Sequence, residues 1–146
     1  MSTSNRRTAA AGLLMTAVLA GCTATEAAVN DVPAAVVEDI ENSDVKKVTF
    51  SREAAEALGV ATAAVTRNGA NGQLTMPYDA VIYYLDGTTW AYAATGEREY
   101  TRVPVTVASI SGANATLSAG PTAGTQVVVV GAPEVLGAEL EIDGEQ

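Results

Sequence analysis

Ala80-Val81-Ile82-Tyr83-Tyr84-Leu85-Asp86-Gly87-Thr88-Thr89-Trp90-Ala91-Tyr92-Ala93 sets two runs of β-branched and aromatic residues on either side of an Asp-Gly pair. Asp-Gly tolerates the positive φ that a tight hairpin turn requires, so this stretch predicts two antiparallel strands. Downstream, Thr95-Gly96 marks a second turn into Tyr100 to Ser109, where Val103, Val105 and Val107 alternate with Arg102, Pro104 and Thr106. That period of two predicts a half-buried strand with Arg102 and Pro104 outward. Pro104 lacks a backbone donor, which predicts an edge strand or a bulge. Ser111 to Asn114 turns the chain again before the short strand Ala115-Thr116-Leu117, and Gly120 to Gly124 leads into the valine run Gln126 to Val130, suited to a fully buried strand. Pro133 to Leu140 adds a terminal helical turn, and the acidic end after it frays.

Upstream, Val45-Lys46-Lys47-Val48-Thr49-Phe50 predicts a first strand. Ser51 is placed to cap a short helix over Arg52 to Leu58, with Gly59 as its stop. Val60 to Thr66 resumes as strand, and Asn68-Gly69-Ala70-Asn71-Gly72 is a turn-rich break. The sum is an all-β fold, a small β-barrel or β-roll of about seven strands with one short helix.

Before this domain the composition changes twice. Arg6-Arg7, the apolar run Thr8 to Leu19 and the small pair Ala20-Gly21 have the pattern of a secretory signal peptide over residues 1–21. The apolar run is about a dozen residues, short of the roughly 20 that a spanning helix needs. Leu19-Ala20-Gly21-Cys22 resembles the lipobox of bacterial lipoproteins, which implies that Cys22 is acylated and becomes the first residue of an exported protein held on the outer face of the cell membrane. Cys22 is the sole cysteine, so no internal disulfide competes for it. Residues 22–44 are rich in Ala, Val, Thr and acids with no aromatic residue, a composition expected of a flexible tether; a coil of that length reaches about 26 Å. Within it, Pro33 followed by Ala34-Ala35-Val36-Val37-Glu38 is compatible with a short helix. The β domain is expected over residues 45–146.

Charge and residue chemistry narrow the function. The chain carries 17 Asp or Glu against 8 Lys or Arg, a formal charge of −9, and loss of Arg6 and Arg7 with the leader makes it more acidic still. Nucleic acid and anionic headgroups repel such a surface, so no nucleic-acid partner is expected. There is no histidine, which removes Ser-His-Asp and Cys-His catalysis. Ser51, Ser109, Ser111 and Ser118 have only Lys46 and Lys47 as bases, at spacings that fit no Ser-Lys arrangement. The carboxylates of Glu38, Asp39, Glu41, Glu97 and Glu99 look like solvated surface, without the pocket that would separate two pKa values. Met76 is the sole methionine left after leader removal, too few for soft-metal binding. Asp143-Gly144-Glu145 lacks the spacing of a calcium loop. No catalytic residue, metal or cofactor is expected, and the chain is not read as an enzyme.

Residues 76–140 resemble the membrane-proximal region of periplasmic adaptor subunits, or membrane fusion proteins, of bacterial efflux pumps. The likeness is carried by Pro77, Ala80-Val81, Asp86-Gly87, Trp90-Ala91-Tyr92, Arg102-Val103-Pro104-Val105, Gly120-Pro121-Thr122-Ala123-Gly124 and Val127 to Gly131. Val48-Thr49-Phe50-Ser51 through Leu58-Gly59-Val60 looks like the segment by which some adaptors enter their β domains. Adaptors normally carry a lipoyl-like domain and a helical hairpin between these segments, whereas here a short turn joins Thr66 to Met76. The resemblance therefore implies a stripped, adaptor-like accessory of a transmembrane transport complex, partnered by a permease or transport ATPase and by the bilayer through Cys22. A free-standing small-ligand-binding or envelope-binding lipoprotein is the alternative. Tyr83, Tyr84, Trp90, Tyr92 and Tyr100 concentrate the aromatic residues. They serve either as cross-strand core packing or, with Arg102, as a partner contact over Tyr84, Trp90, Tyr92 and Arg102. Trp90 and Tyr92 share a strand face and Tyr83 opposes Tyr84, so at least one tyrosine faces outward.

Overall fold

The computed structural model describes residues 33–68 and 72–143. The expected leader, Cys22 and the first part of the expected tether lie outside the described residues. Eleven strands form two antiparallel sheets. The larger sheet runs β1 (Ala35–Asp39), β2 (Lys46–Phe50), β8 (Glu99–Pro104), β7 (Thr89–Gly96), β11 (Gln126–Val130) and β3 (Ala61–Ala64), with β6 (Ile82–Tyr83) pairing β7. The smaller runs β4 (Thr66–Arg67), β5 (Leu74–Pro77), β10 (Asn114–Ala119) and β9 (Thr106–Ser111). The all-β class holds. The strands are more numerous than expected, and among the described residues no closed barrel forms, since β1 and β3 end the larger sheet and β4 and β9 the smaller.

The centre of the larger sheet, β7 and β11, is buried on both faces, which explains the near-continuous apolar sequence of those two strands. Successive residues of β11 and β7 serve different cores. Val127 and Ala91 face the smaller sheet, among Val65, Met76, Val105, Ala115 and Leu117. Val128 and Tyr92 face the opposite side, among Val48, Phe50, Tyr100, Ala132 and Val135. Two helices cover that second side. α1 (Arg52–Leu58) begins where Ser51 Oγ accepts from Ala54 N at 3.1 Å, and ends at Gly59 in the left-handed region, as its cap residues predict. α2 (Ala132–Asp143) is longer than the single turn expected and packs on β1, β2 and β7. A single 3-10 turn, Tyr78–Ala80, links the sheets.

Several boundaries differ from the sequence reading: the run Val60 to Thr66 divides between β3 of the larger sheet and β4 of the smaller, β5 forms in the connection read as a turn, and two further differences have a clear physical reason. The first concerns residues 35–39, expected within the tether or a short helix, which form β1 against β2. Ala35 and Val37 pack onto the second core, while Glu38 and Asp39 reach Lys47 Nζ at 2.7 Å and Lys46 Nζ at 3.5 Å. The second concerns the run expected as one strand, which splits at Pro104. Without an N–H, Pro104 ends β8; Val105 then turns inward, its N–H donating to Thr89 O at 3.0 Å and its carbonyl accepting from Thr89 Oγ1 at 2.6 Å. The chain thereby crosses from one sheet to the other and continues as β9.

Candidate partner-binding site

The β6–β7 hairpin is fixed from its own sequence. Tyr84 N donates to Thr88 O at 2.9 Å, and Gly87 N returns to Tyr84 O at 3.0 Å. Gly87 takes φ +83°, where a side chain would be strained. Asp86 Oδ1 accepts from Thr88 N at 2.9 Å and from Thr88 Oγ1 at 2.6 Å, and Trp90 Nε1 donates to the same Oγ1 at 2.8 Å. The hydrogen bonds from Thr88 stabilise the Asp86 carboxylate and hold its pKa below the usual range. One acid thus ties the turn to the tryptophan of the next strand.

Three of the four candidate contacts converge behind this turn. The Arg102 guanidinium stacks 4.8 Å from the Tyr84 ring and 4.9 Å from the Trp90 ring, and the two rings lie 6.3 Å apart. The fourth, Tyr92, sits directly opposite Arg102 in the β7–β8 register. Tyr92 is fully buried and Arg102 mostly so: of the two roles open to the aromatic residues Tyr92 takes core packing and cannot serve as a surface contact, and the Arg102 face, expected outward, lies beneath α2. The residue missed in the sequence is Glu139 of α2, the one charged side chain among the buried described residues. Its Oε2 accepts from the Tyr92 hydroxyl at 2.5 Å, and its Oε1 lies 3.1 Å from Arg102 Nε. The Nε–H is not aimed along that line, so the contact is an ion pair rather than an aligned hydrogen bond. Burial, then the hydrogen bond to Glu139, drives the Tyr92 phenol far above its ordinary pKa. The sequence signal was available: Ala132, Val135 and Glu139 repeat at helical spacing, placing an acid on the apolar stripe.

In front of the cluster lies an apolar groove of about 300 Å³ lined by Tyr83, Tyr84, Leu85, Leu136 and Leu140. Leu85, at the hairpin tip, is fully exposed, and Tyr83 and Leu140 are 55% and 51% exposed. Tyr83 is braced by Tyr78, their hydroxyls 3.3 Å apart and their rings edge-on at 6.5 Å.

No family model, curated protein or solved structure matches the chain. Chemistry must therefore be read from the side chains. Glu139 is engaged on both oxygens, by the Tyr92 hydroxyl and Arg102, and sealed from solvent. Met76 is a core residue. Among the described residues no three His, Cys, Asp or Glu are grouped to hold a metal, and no helix is long and apolar enough to cross a membrane. The carboxylates expected to be free surface are partly paired, Glu38 and Glu99 with Lys47 and Glu97 with Arg98.

Proposed function

We propose that this chain is a non-catalytic lipoprotein, exported and held at the outer face of the cell membrane through acylated Cys22, that serves as an adaptor-like accessory or scaffold of a transmembrane efflux complex. The observation that carries the binding part of the reading is the apolar groove beside the β6–β7 hairpin. Leu85 stands exposed there on a turn locked by Asp86, Thr88 and Trp90, with Tyr83 of β6 and Leu140 of α2 exposed beside it, and exposed apolar clusters of this kind mark contact surfaces. The transport part is supported by the ordered likeness to adaptor subunits over residues 76–140, and the anchor by Leu19-Ala20-Gly21-Cys22. A small-ligand carrier would favour an enclosed apolar cavity, whereas this groove opens to solvent with Leu85 projecting from its rim.

The test is mild crosslinking in intact membranes, purification through a C-terminal tag, and identification of the partners. Recovery of a permease or transport ATPase is the expected result. Recovery of the chain alone, while a control complex crosslinks efficiently, overturns the transport reading.

A further inference from the structure

We infer that the groove formed by Tyr83, Tyr84, Leu85, Leu136 and Leu140 grips a cationic, apolar polypeptide segment of the partner, one presenting a large apolar side chain flanked by Lys or Arg. This rests on the accessory reading above and names the chemistry of the partner it requires.

Three features of the groove point to that occupant. Its size comes first: at about 300 Å³ it admits one or two apolar side chains and not a folded surface. The second is preorganisation, because the hydrogen-bonded turn fixes the backbone that carries Leu85 and the Arg102 stack backs the Tyr84 ring, so little backbone freedom is lost on binding. The third is charge. Asp86, exposed, directly follows Leu85 at the tip of the hairpin, while no Lys or Arg lines the groove. The cation behind it, Arg102, already has Glu139 as its counter-ion. An apolar slot with Asp86 at its rim, in a chain of charge −9, favours a positively charged apolar segment. The same charge disfavours the other occupants: a second copy would set acid against acid, and an anionic bilayer would repel the rim.

Trp90 is the only tryptophan and stacks against Tyr84, so its emission reports on the groove. The experiment titrates the full chain with a synthetic amphipathic peptide of leucine and lysine, then with its twin in which glutamate replaces lysine. The expected result is a saturable change in Trp90 emission with the lysine peptide, at least about tenfold weaker for the glutamate twin and for Leu85→Ser, the loss typical of a central apolar anchor. Leu85 is fully exposed, so Leu85→Ser should leave the melting curve unchanged, separating lost binding from lost folding. Equal binding by Leu85→Ser, or by the glutamate twin, overturns the inference. So does a Leu85-dependent dimer in sedimentation, or a Leu85-dependent shift with phosphatidylcholine vesicles but none with the peptide; these would assign the groove to a second copy or to lipid. The crosslinking experiment repeated with Leu85→Ser separates the two readings. If the variant still captures the transporter, the groove inference fails and the accessory reading stands. If the wild-type chain captures none while the peptide binds through Leu85, the accessory reading fails and the groove stands.

Discussion

Glu139 makes the sharpest prediction at the scale of single residues. A carboxylate with 2% exposure beside a guanidinium whose side chain is 14% exposed is held because each offsets the other's desolvation. Glu139→Ala leaves Arg102 charged, buried and unpaired, and also strips the Tyr92 hydroxyl of its acceptor. Urea denaturation should show a loss of about 3–5 kcal/mol. The triple variant Arg102→Met, Glu139→Leu and Tyr92→Phe should recover most of it, since an apolar cluster of similar volume needs neither a counter-charge nor an acceptor for the phenol. A loss below about 1 kcal/mol for Glu139→Ala would show that the pair is solvated rather than buried. Tyr92 adds a pH dependence. Its folded pKa lies above the ordinary 10.0, so the neutral phenol is favoured by folding. The associated stability is fully present below pH about 10 and is lost as the pH rises beyond it, because the unfolded chain ionises first. Burial raises Tyr84 and Tyr100 in the same direction. Melting temperatures should therefore fall between pH about 9 and about 11, and Tyr92→Phe should flatten that fall.

At the scale of elements, caps and turns were legible because their signals are local. Ser51 and Gly59 bound α1 as their side-chain and backbone preferences dictate, and Ser51→Ala should cost about 1 kcal/mol in the same denaturation assay. Gly131 makes the entry to α2 in a similar way. It takes φ +87°, and a Cβ there would lie 3.2 Å from Val60 Cγ2. Gly131→Ala should destabilise by more than the roughly 1 kcal/mol that the left-handed backbone alone costs a side chain, with a lowered melting temperature as the readout. What could not be read locally was which layer each face meets. The alternation at Arg102 and Val103 is real, and both faces of the strand are covered, one by the smaller sheet and one by α2. A period of two distinguishes the faces and does not say which is wet. Only the acid on the apolar stripe of α2 points to a charge beneath it, and recognising it requires knowing that α2 lies over Arg102.

For the whole molecule, the same limit explains where the folded domain starts. Residues 35–39 contain no aromatic residue and end in acids, a composition that resembles a spacer, yet across the sheet those acids meet Lys46 and Lys47 in register. Strand pairing between Ala35–Asp39 and Lys46–Phe50 is a property of two segments together, invisible in either alone. The exposed ion pairs contribute little by themselves; burial of the inward faces of Ala35 and Val37, and the ladder that covers the β2 edge, contribute more. A chain beginning at Val45 would lose both and would present β2, with its buried Val48 and Phe50, as a bare edge. Compared with a chain beginning at Pro33, it should be less stable by about 2 kcal/mol or more from the lost apolar burial and pairing. It should also aggregate at concentrations where the longer chain stays monomeric. Urea midpoints and light scattering on the two chains test this directly. Equal midpoints would mean that β1 only rests on the sheet, and that the domain starts at β2 as its composition suggests.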